Sequence, residues 1–336
     1  MHAARSLARR AFVITLMAAA SGAALAQWKP THPINLIVPW AAGGSTDQVT
    51  RVTAAELEKA LGQTIVIVNQ PGASGAIGTK SALDAPKDGY TWTAGAAQDL
   101  GAYQALGSVN TSIKDWHLFL NVANIQVIGV NPSRPWKTPK ELLDDMKAKP
   151  GQISVATAGV TSAAHNAMDQ IVKATGVKYK EVSYDGGNPA VVATVAGEAD
   201  LTTQLAVEQA DMIRGKRLRP LATVSDKPLE LEGYGTIPPL SQTVPGFTAP
   251  ANYFGIFLPK GVPDEVVKTL EKIWAEQITK SEALKKYATS RGALFDPQYG
   301  EAAQKAVFPA VQSNVWNLHA GGKTKVSPDT VGIAKP

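Results

Sequence analysis

The sequence predicts an α/β protein of two lobes, each a mainly parallel sheet flanked by helices, with two strands crossing between them. Three observations carry this. A short apolar run rich in β-branched residues, a loop of small residues and then a helical pattern follow one another at 34–61 and again at 153–165. Strands that alternate with helices in this way build parallel sheets. About 310 residues remain once an N-terminal leader is set aside, more than one hydrophobic core usually holds. Finally, residues 252–259 echo the apolar strand at 124–132. If both cross between lobes, 132–253 is one lobe and 27–131 plus 254–336 together form the other.

In chain order, Arg5, Arg9 and Arg10 precede an apolar run at 11–25, and Ala24-Leu25-Ala26 before Gln27 fits the small-x-small cleavage rule. Residues 1–26 are therefore expected to be a cleaved secretory signal. Arg9-Arg10 also resembles a twin-arginine signal, ranked behind general secretion. The chain has no cysteine, which excludes a lipid-modified N-terminal Cys, disulfides, iron–sulfur clusters and zinc–thiolate sites. No second apolar run approaches the roughly 20 residues that span a bilayer, so a free, unanchored product is expected. Removing the leader removes three arginines and lowers the formal charge from +5 to +2. Nucleic-acid binding then loses its main support.

The strand at 34–38 is cut off by Pro39, and Trp40-Ala41-Ala42-Gly43-Gly44 leads into Ser45, Thr46 and Asp47, residue types that cap helices. Small residues before a helix end leave backbone N–H groups uncovered, a setting that suits a carboxylate, although a plain capped turn has the same spacing. Asp47 would repel a bound anion there, so it is assigned to capping the helix or ordering the loop. A second strand at 64–68 enters a glycine-rich loop at 69–78, spaced G-x-x-G-x-x-G and not as the dinucleotide fingerprint. That loop reads as close backbone packing beside the first, before a helix to 84. A third strand at 90–95 ends in a loop at 96–99, where Gln98 is a candidate contact because ligands bind at the carboxyl ends of strands.

Residues 124–130 read as one apolar strand, and 137–149 as an amphipathic helix ended by Pro150-Gly151. The strand at 153–156 feeds a second loop of small residues carrying Gly159, Thr161, Ser162 and His165, the same device as the first. A strand at 182–184 ends at Tyr184 and the turn Asp185-Gly186-Gly187-Asn188-Pro189; a helix to 197 and a strand at 201–204 ending in Gln204 follow. Tyr184, Asp185 and Gln204 join the candidate ligand contacts. The basic cluster at 214–219 reads as a solvated helix end. Helices are expected at 265–279 and 281–292, and a loose tail from 321.

Enzyme chemistry finds little support. His32, His117, His165 and His319 include no i,i+4 pair, no G-x-S-x-G elbow occurs, and Gly321-Gly322-Lys323-Thr324 lacks the first glycine of a phosphate loop. A secreted hydrolase using Ser162 and His165 remains the alternative, with a periplasmic sensor domain as a further one.

Taken together, 34–47, 69–78, 88–91, 156–165 and 184–190 resemble, in order and over essentially the whole mature chain, the Bug-type solute receptors. These are the periplasmic substrate-binding proteins of tripartite tricarboxylate transporters. The resemblance implies a two-lobed periplasmic binding protein fold, no enzymatic activity and no cofactor or metal. It implies a periplasmic monomer that closes on a small aromatic or aliphatic mono- or dicarboxylate, partly through ordered waters. The implied partners are the large and small membrane subunits of the transporter, with no nucleic acid. By position it places Trp40, Ala41, Ala42, Gly43, Gly44 and Ser45 on one side of the ligand, and Gly159, Thr161, Ser162 and His165 on the other. Departures bear on specificity: Trp40 stands where phenylalanine is frequent, Gln70 for a usual arginine, Val160-Thr161 for a polar-glycine pair, and Asp185 where lysine is common. Asp185 near the cleft would disfavour an extra anionic group and favour a hydroxyl or amine, while Trp40 offers a surface for a flat or apolar body.

Overall fold

A computed structural model of the chain describes residues 28–336, and the export segment expected at 1–26 lies outside them. The chain opens with β1 (Ile34–Val38), α1 (Ser45–Leu61), β2 (Ile65–Asn69), α2 (Ala76–Asp84), β3 (Thr91–Ala96), α3 (Ala97–Leu106) and β4 (Trp116–Asn124). It continues with β5 (Val127–Val130), α4 (Pro139–Ala148), β6 (Ser154–Thr157), α5 (Ala163–Thr175), β7 (Lys180–Ser183), α6 (Gly187–Ala196), β8 (Leu201–Thr202), α7 (Ala206–Arg214) and β9 (Arg219–Thr223). After the hairpin β10 (Leu229–Leu231) and β11 (Gly235–Ile237) come β12 (Asn252–Pro259), α8 (Asp264–Glu276), α9 (Glu282–Arg291), β13 (Ala293–Tyr299) and α10 (Gly300–Ala320).

Two sheets result, in the orders β13-β4-β12-β3-β1-β2 and β7-β6-β8-β5-β9. Each has a parallel core, β2-β1-β3 and β7-β6-β8, extended by antiparallel strands. The antiparallel strands belong to the crossing: β4 leaves the first sheet, and β12 returns to it with Asn252 opposite Asn124. Only the first passage is a direct strand-to-strand link, through Ile125 and Gln126. The single strand expected at 124–130, with its lobe boundary after 131, is thus corrected. β5 pairs with β8 and β9, so the change of sheet falls at Ile125–Gln126. β4 and β5 are almost wholly buried, and a buried, mostly apolar run with scattered Asn and Gln carries no mark of where one sheet ends.

Two further expectations are revised. Residues 96–99 are not a loop: β3 runs straight into α3, whose N-cap Ala96 has no capping side chain to announce it. The tail is not loose either, since Lys325 N–H donates to Ala105 O at 2.8 Å, Trp316 Nε1 donates to Ile333 O at 3.1 Å, and Ile333 is buried. Anchors made by backbone carbonyls and one apolar side chain leave no pattern to read.

The turn from β1 into α1 positions the cleft. Val49, Thr53 and Leu57, spaced four apart, bury one face of α1, and Gly62 ends it in the left-handed conformation with its N–H on Glu58 O. Asp47 Oδ2 accepts from Gly43 N–H at 3.0 Å and Oδ1 from Asn69 Nδ2 at 3.1 Å, while Arg51 grips both oxygens at 3.0 and 2.8 Å. Asp47 therefore orders the loop, as its poor fit to an anion site suggested. Burial opposes its ionisation, but Arg51, the Gly43 N–H and the Asn69 amide outweigh burial and hold the carboxyl below its ordinary range. In the opposite half of the sheet, β12 and β4 approach so closely at a bulge that a Cβ on Gly255 would lie 2.3 Å from the Phe119 carbonyl oxygen. Trp274 closes this core, donating Nε1–H to Leu120 O at 2.6 Å and packing on Phe119.

Gly255→Ala should cost about 1–3 kcal/mol, because backbone oxygen cannot rotate aside and the strands must shift. A urea titration reads this as a lower midpoint at unchanged slope; an unchanged midpoint would show that the strands part freely there. Asp47→Asn should lower stability by about 1–3 kcal/mol at neutral pH. A depressed folded-state pKa stabilises above the unfolded value of about 3.9 and is lost as pH falls through the folded value. The gap between native and Asp47→Asn proteins should therefore narrow in melts below about pH 4, and a pH-independent gap would refute the assignment.

Candidate functional site

The carboxyl ends of both parallel cores meet at one cleft, as the switch-point rule anticipates. Between them lies a small, partly open cavity of about 30 Å³. Its first-sheet wall is Trp40, Gly44, Ser45, Thr46, Ala96, Asp99 and Phe254; its second-sheet wall is Ala158, Ser162, Ala163, Gly187, Gln204, Leu205 and Glu208. Of the residues singled out in the sequence, Trp40, Gly44, Ser45, Ser162 and Gln204 come together here.

Others lie in the seam where the lobes touch. Thr161 Oγ1 donates to Ser74 O at 2.8 Å, and Gly159, at φ +93°, lies so close to Ser74 that a Cβ would sit 2.3 Å from its Oγ. Gly43 lies against Asn188 and Ala41 against Gly186, while Ala42 is exposed. Gln98 is buried and accepts from Asn166 Nδ2 at 3.3 Å, again across the lobes. Tyr184 turns outward, its hydroxyl donating to Glu198 at 3.3 Å, and Asp185 is exposed. Asp185 thus does not border the cavity. The second glycine-rich loop packs beside the first as expected: a Cβ on Gly75 would stand 3.1 Å from the Trp40 ring.

His165 is fully buried away from the cavity wall. Its Nδ1 meets Glu181 Oε1 at 2.5 Å, Asp169 lies 3.4 Å from Nε2, and Lys323 from the C-terminal segment reaches the same nitrogen. Burial would push the ring's pKa down, but the two carboxylates outweigh it and raise it. Ser162 Oγ caps α5, accepting the backbone N–H groups of His165 and Ala158 at 3.3 Å each. Serine hydroxyl and imidazole therefore have separate partners, and no nucleophile–base couple forms.

Two cavity residues went unrecognised in the sequence, both acids in the first turn of a helix. Asp99 of α3 is only 5 % exposed, and its Oδ1 has no hydrogen-bond partner among the described residues. Burial pushes its carboxyl well above the usual range. Glu208 of α7 crosses the cleft and accepts the Ser45 N–H at 2.9 Å, with the Leu205 N–H at 3.4 Å. Burial pushes it up as well, against those hydrogen bonds. The helix end expected to receive a ligand carboxylate thus holds the protein's own. An acid in a helix's first turn is common capping chemistry, so nothing in the sequence set these two apart.

Among the described residues, no group of three His, Asp or Glu side chains could hold a metal ion, and no helix is long and apolar enough to cross a membrane. The family model of the tripartite tricarboxylate transporter family receptor matches residues 49–318. Protein BugT of Bordetella pertussis is 31% identical over 281 residues, covering 80% of this chain and 83% of BugT. Among solved structures, the periplasmic binding protein BugD superposes with a TM-score of 0.79 at 26% identity, covering 88% of this chain and 99% of BugD. A protein of R. palustris solved with adipate shares the fold, with a TM-score of 0.79 at 23% identity over 87% of this chain and 98% of that one. Such proteins bind substrates and are not enzymes, and this chain, with its two sheets facing one cleft, belongs to the tripartite tricarboxylate transporter receptor family as a Bug-type receptor.

Proposed function

We propose that this protein is a periplasmic receptor that captures a small carboxylate-containing solute between two closing lobes and delivers it to the large and small membrane subunits of a tripartite transporter. The observation that carries this reading is the cavity itself, bordered from opposite lobes by the N-terminal ends of α1 at Ser45 and α5 at Ser162. Family membership supports the transporter partner, and the adipate held by the R. palustris protein supports a carboxylate ligand. The apolar leader at 1–26 and the periplasmic relatives support the location.

Binding strength requires both walls. A helix terminus contributes only about 0.3–2 kcal/mol toward an anion, whereas micromolar affinity corresponds to about 8. Trp40, Ser162 and Gln204 are the contacts assigned to the ligand, Ser45 being held by Glu208. Gln98, Gly159 and Thr161 are assigned to the seam that forms when the lobes close, and the lobes divide at Ile125–Gln126 and just before Asn252. Gln204 is buried, and its Nε2 has no partner among the described residues, a donor that a ligand oxygen could satisfy as the cleft opens and closes.

Calorimetry against aromatic and aliphatic mono-, di- and amino carboxylates, with small-angle scattering on the binders, tests the reading. At least one acid should bind and reduce the radius of gyration. Gln204→Ala should weaken that binding by about 0.5–3 kcal/mol, the range of one hydrogen bond, without lowering the melting temperature. No heat from any acid in the panel would sink the receptor reading, and binding with an unchanged scattering profile would sink closure.

A further inference from the structure

Resting on that reading, we infer that the captured carboxylate also carries an ammonium group, so that the solute is a zwitterion whose cation faces Asp99 and Glu208 while its carboxylate faces Gln204. The cavity presents two carboxyl groups and no lysine, arginine or histidine. One of them, on Asp99, is nine-tenths buried with an oxygen that no described group satisfies; in the facing wall the buried Gln204 amide has a donor that no described group accepts. An acid without a donor and a donor without an acceptor in one cavity call for a ligand of both polarities. A buried unpaired carboxylate is costly, and an ammonium is the group that offsets that cost most fully.

The remaining helix end points the same way. Ser45 N–H, the donor most suited to a ligand carboxylate, is already held by Glu208 at 2.9 Å. A second anionic group placed there would meet Glu208 as a like charge in a low-dielectric site. Trp40 and Phe254 border the same space and give the body of the solute an apolar wall. Burial drives both acids toward their neutral forms, and a cation beside them would restore ionisation. The amine preference that the sequence attached to Asp185 is here carried by residues that border the cavity.

The test compares pairs of probes that differ only in the amine, by calorimetry on the mature chain: aspartate with succinate, glutamate with glutarate, and phenylalanine with 3-phenylpropanoate. The aminated member of at least one pair should bind tighter by roughly tenfold or more, the worth of one charge-assisted hydrogen bond. Asp99→Asn and Glu208→Gln, which keep volume and shape, should each shrink that gap. The comparison on the native protein stands whether or not the variants fold. Equal or tighter binding of the plain acids overturns the inference while leaving the receptor reading intact. Uptake of a proton with a plain acid, measured in two buffers of different ionisation enthalpy, would assign the two acids as neutral donors and overturn it too. Failure of every carboxylate in the wider panel would take down the receptor reading itself.

Discussion

The arrangement depends on one register: Asn252 at the start of β12 stands opposite Asn124 at the end of β4. Both passages of the chain therefore meet the first sheet at a single point, and the carboxyl ends of the two parallel cores open toward each other. The direct link is only Ile125 and Gln126, and its backbone is tied to the cavity wall. Val127 N–H donates to Gln204 O at 3.0 Å, Ala206 N–H donates to Ile125 O at 2.8 Å, and Gln126 bridges Leu205. Rotation about this link cannot occur without moving Gln204, Leu205 and the helix that carries Glu208. The cavity wall and the link between the sheets are thus mechanically one element. The side chains of Asn124 and Asn252 are buried there without hydrogen-bond partners among the described residues, an unrelieved cost placed where the chain changes sheet.

The part of the site legible in the sequence is the part encoded locally. A strand, a loop of small residues and a capped helix announce themselves within fifteen residues, which is why Trp40, Ser45 and Ser162, singled out in the sequence, border the cavity. Gln204 followed from the same rule about strand ends. The error at Gln98 is equally local: once 97–106 is a helix, neighbouring side chains diverge by about 100°, so Gln98 meets Asn166 while Asp99 faces the cavity. Asp185 and His165 failed for a different reason. Proximity in sequence to a loop says nothing of which way a side chain turns, and one turns to solvent while the other is packed among Glu181, Asp169 and Lys323. Glu208 was invisible because its role is set by a helix end 163 positions away.

The distribution of charge separates structural acids from those at the cavity. Asp47 has Arg51, and Asp211 has Arg291 at 2.5 Å and Arg214 at 3.1 Å. Within the second lobe Asp169 and Glu181 share His165, and across the seam Lys323, carried by the docked C-terminal segment, lies 3.5 Å from Asp169. Bases are thus supplied to these acids, even beside the lobe interface, whereas the exposed acids Asp115 and Glu141 cap helices with backbone and hydroxyl donors alone. Asp99 and Glu208 are buried and have no base among the described residues. Glu208 has only backbone and hydroxyl donors from its own and the facing lobe, and Asp99 has an oxygen with none. Because a base is within the reach of this architecture at comparable depth, its absence from the cavity wall is a property of the site and not of burial. A cavity wall that withholds cations from two buried acids leaves their desolvation uncompensated by the protein itself.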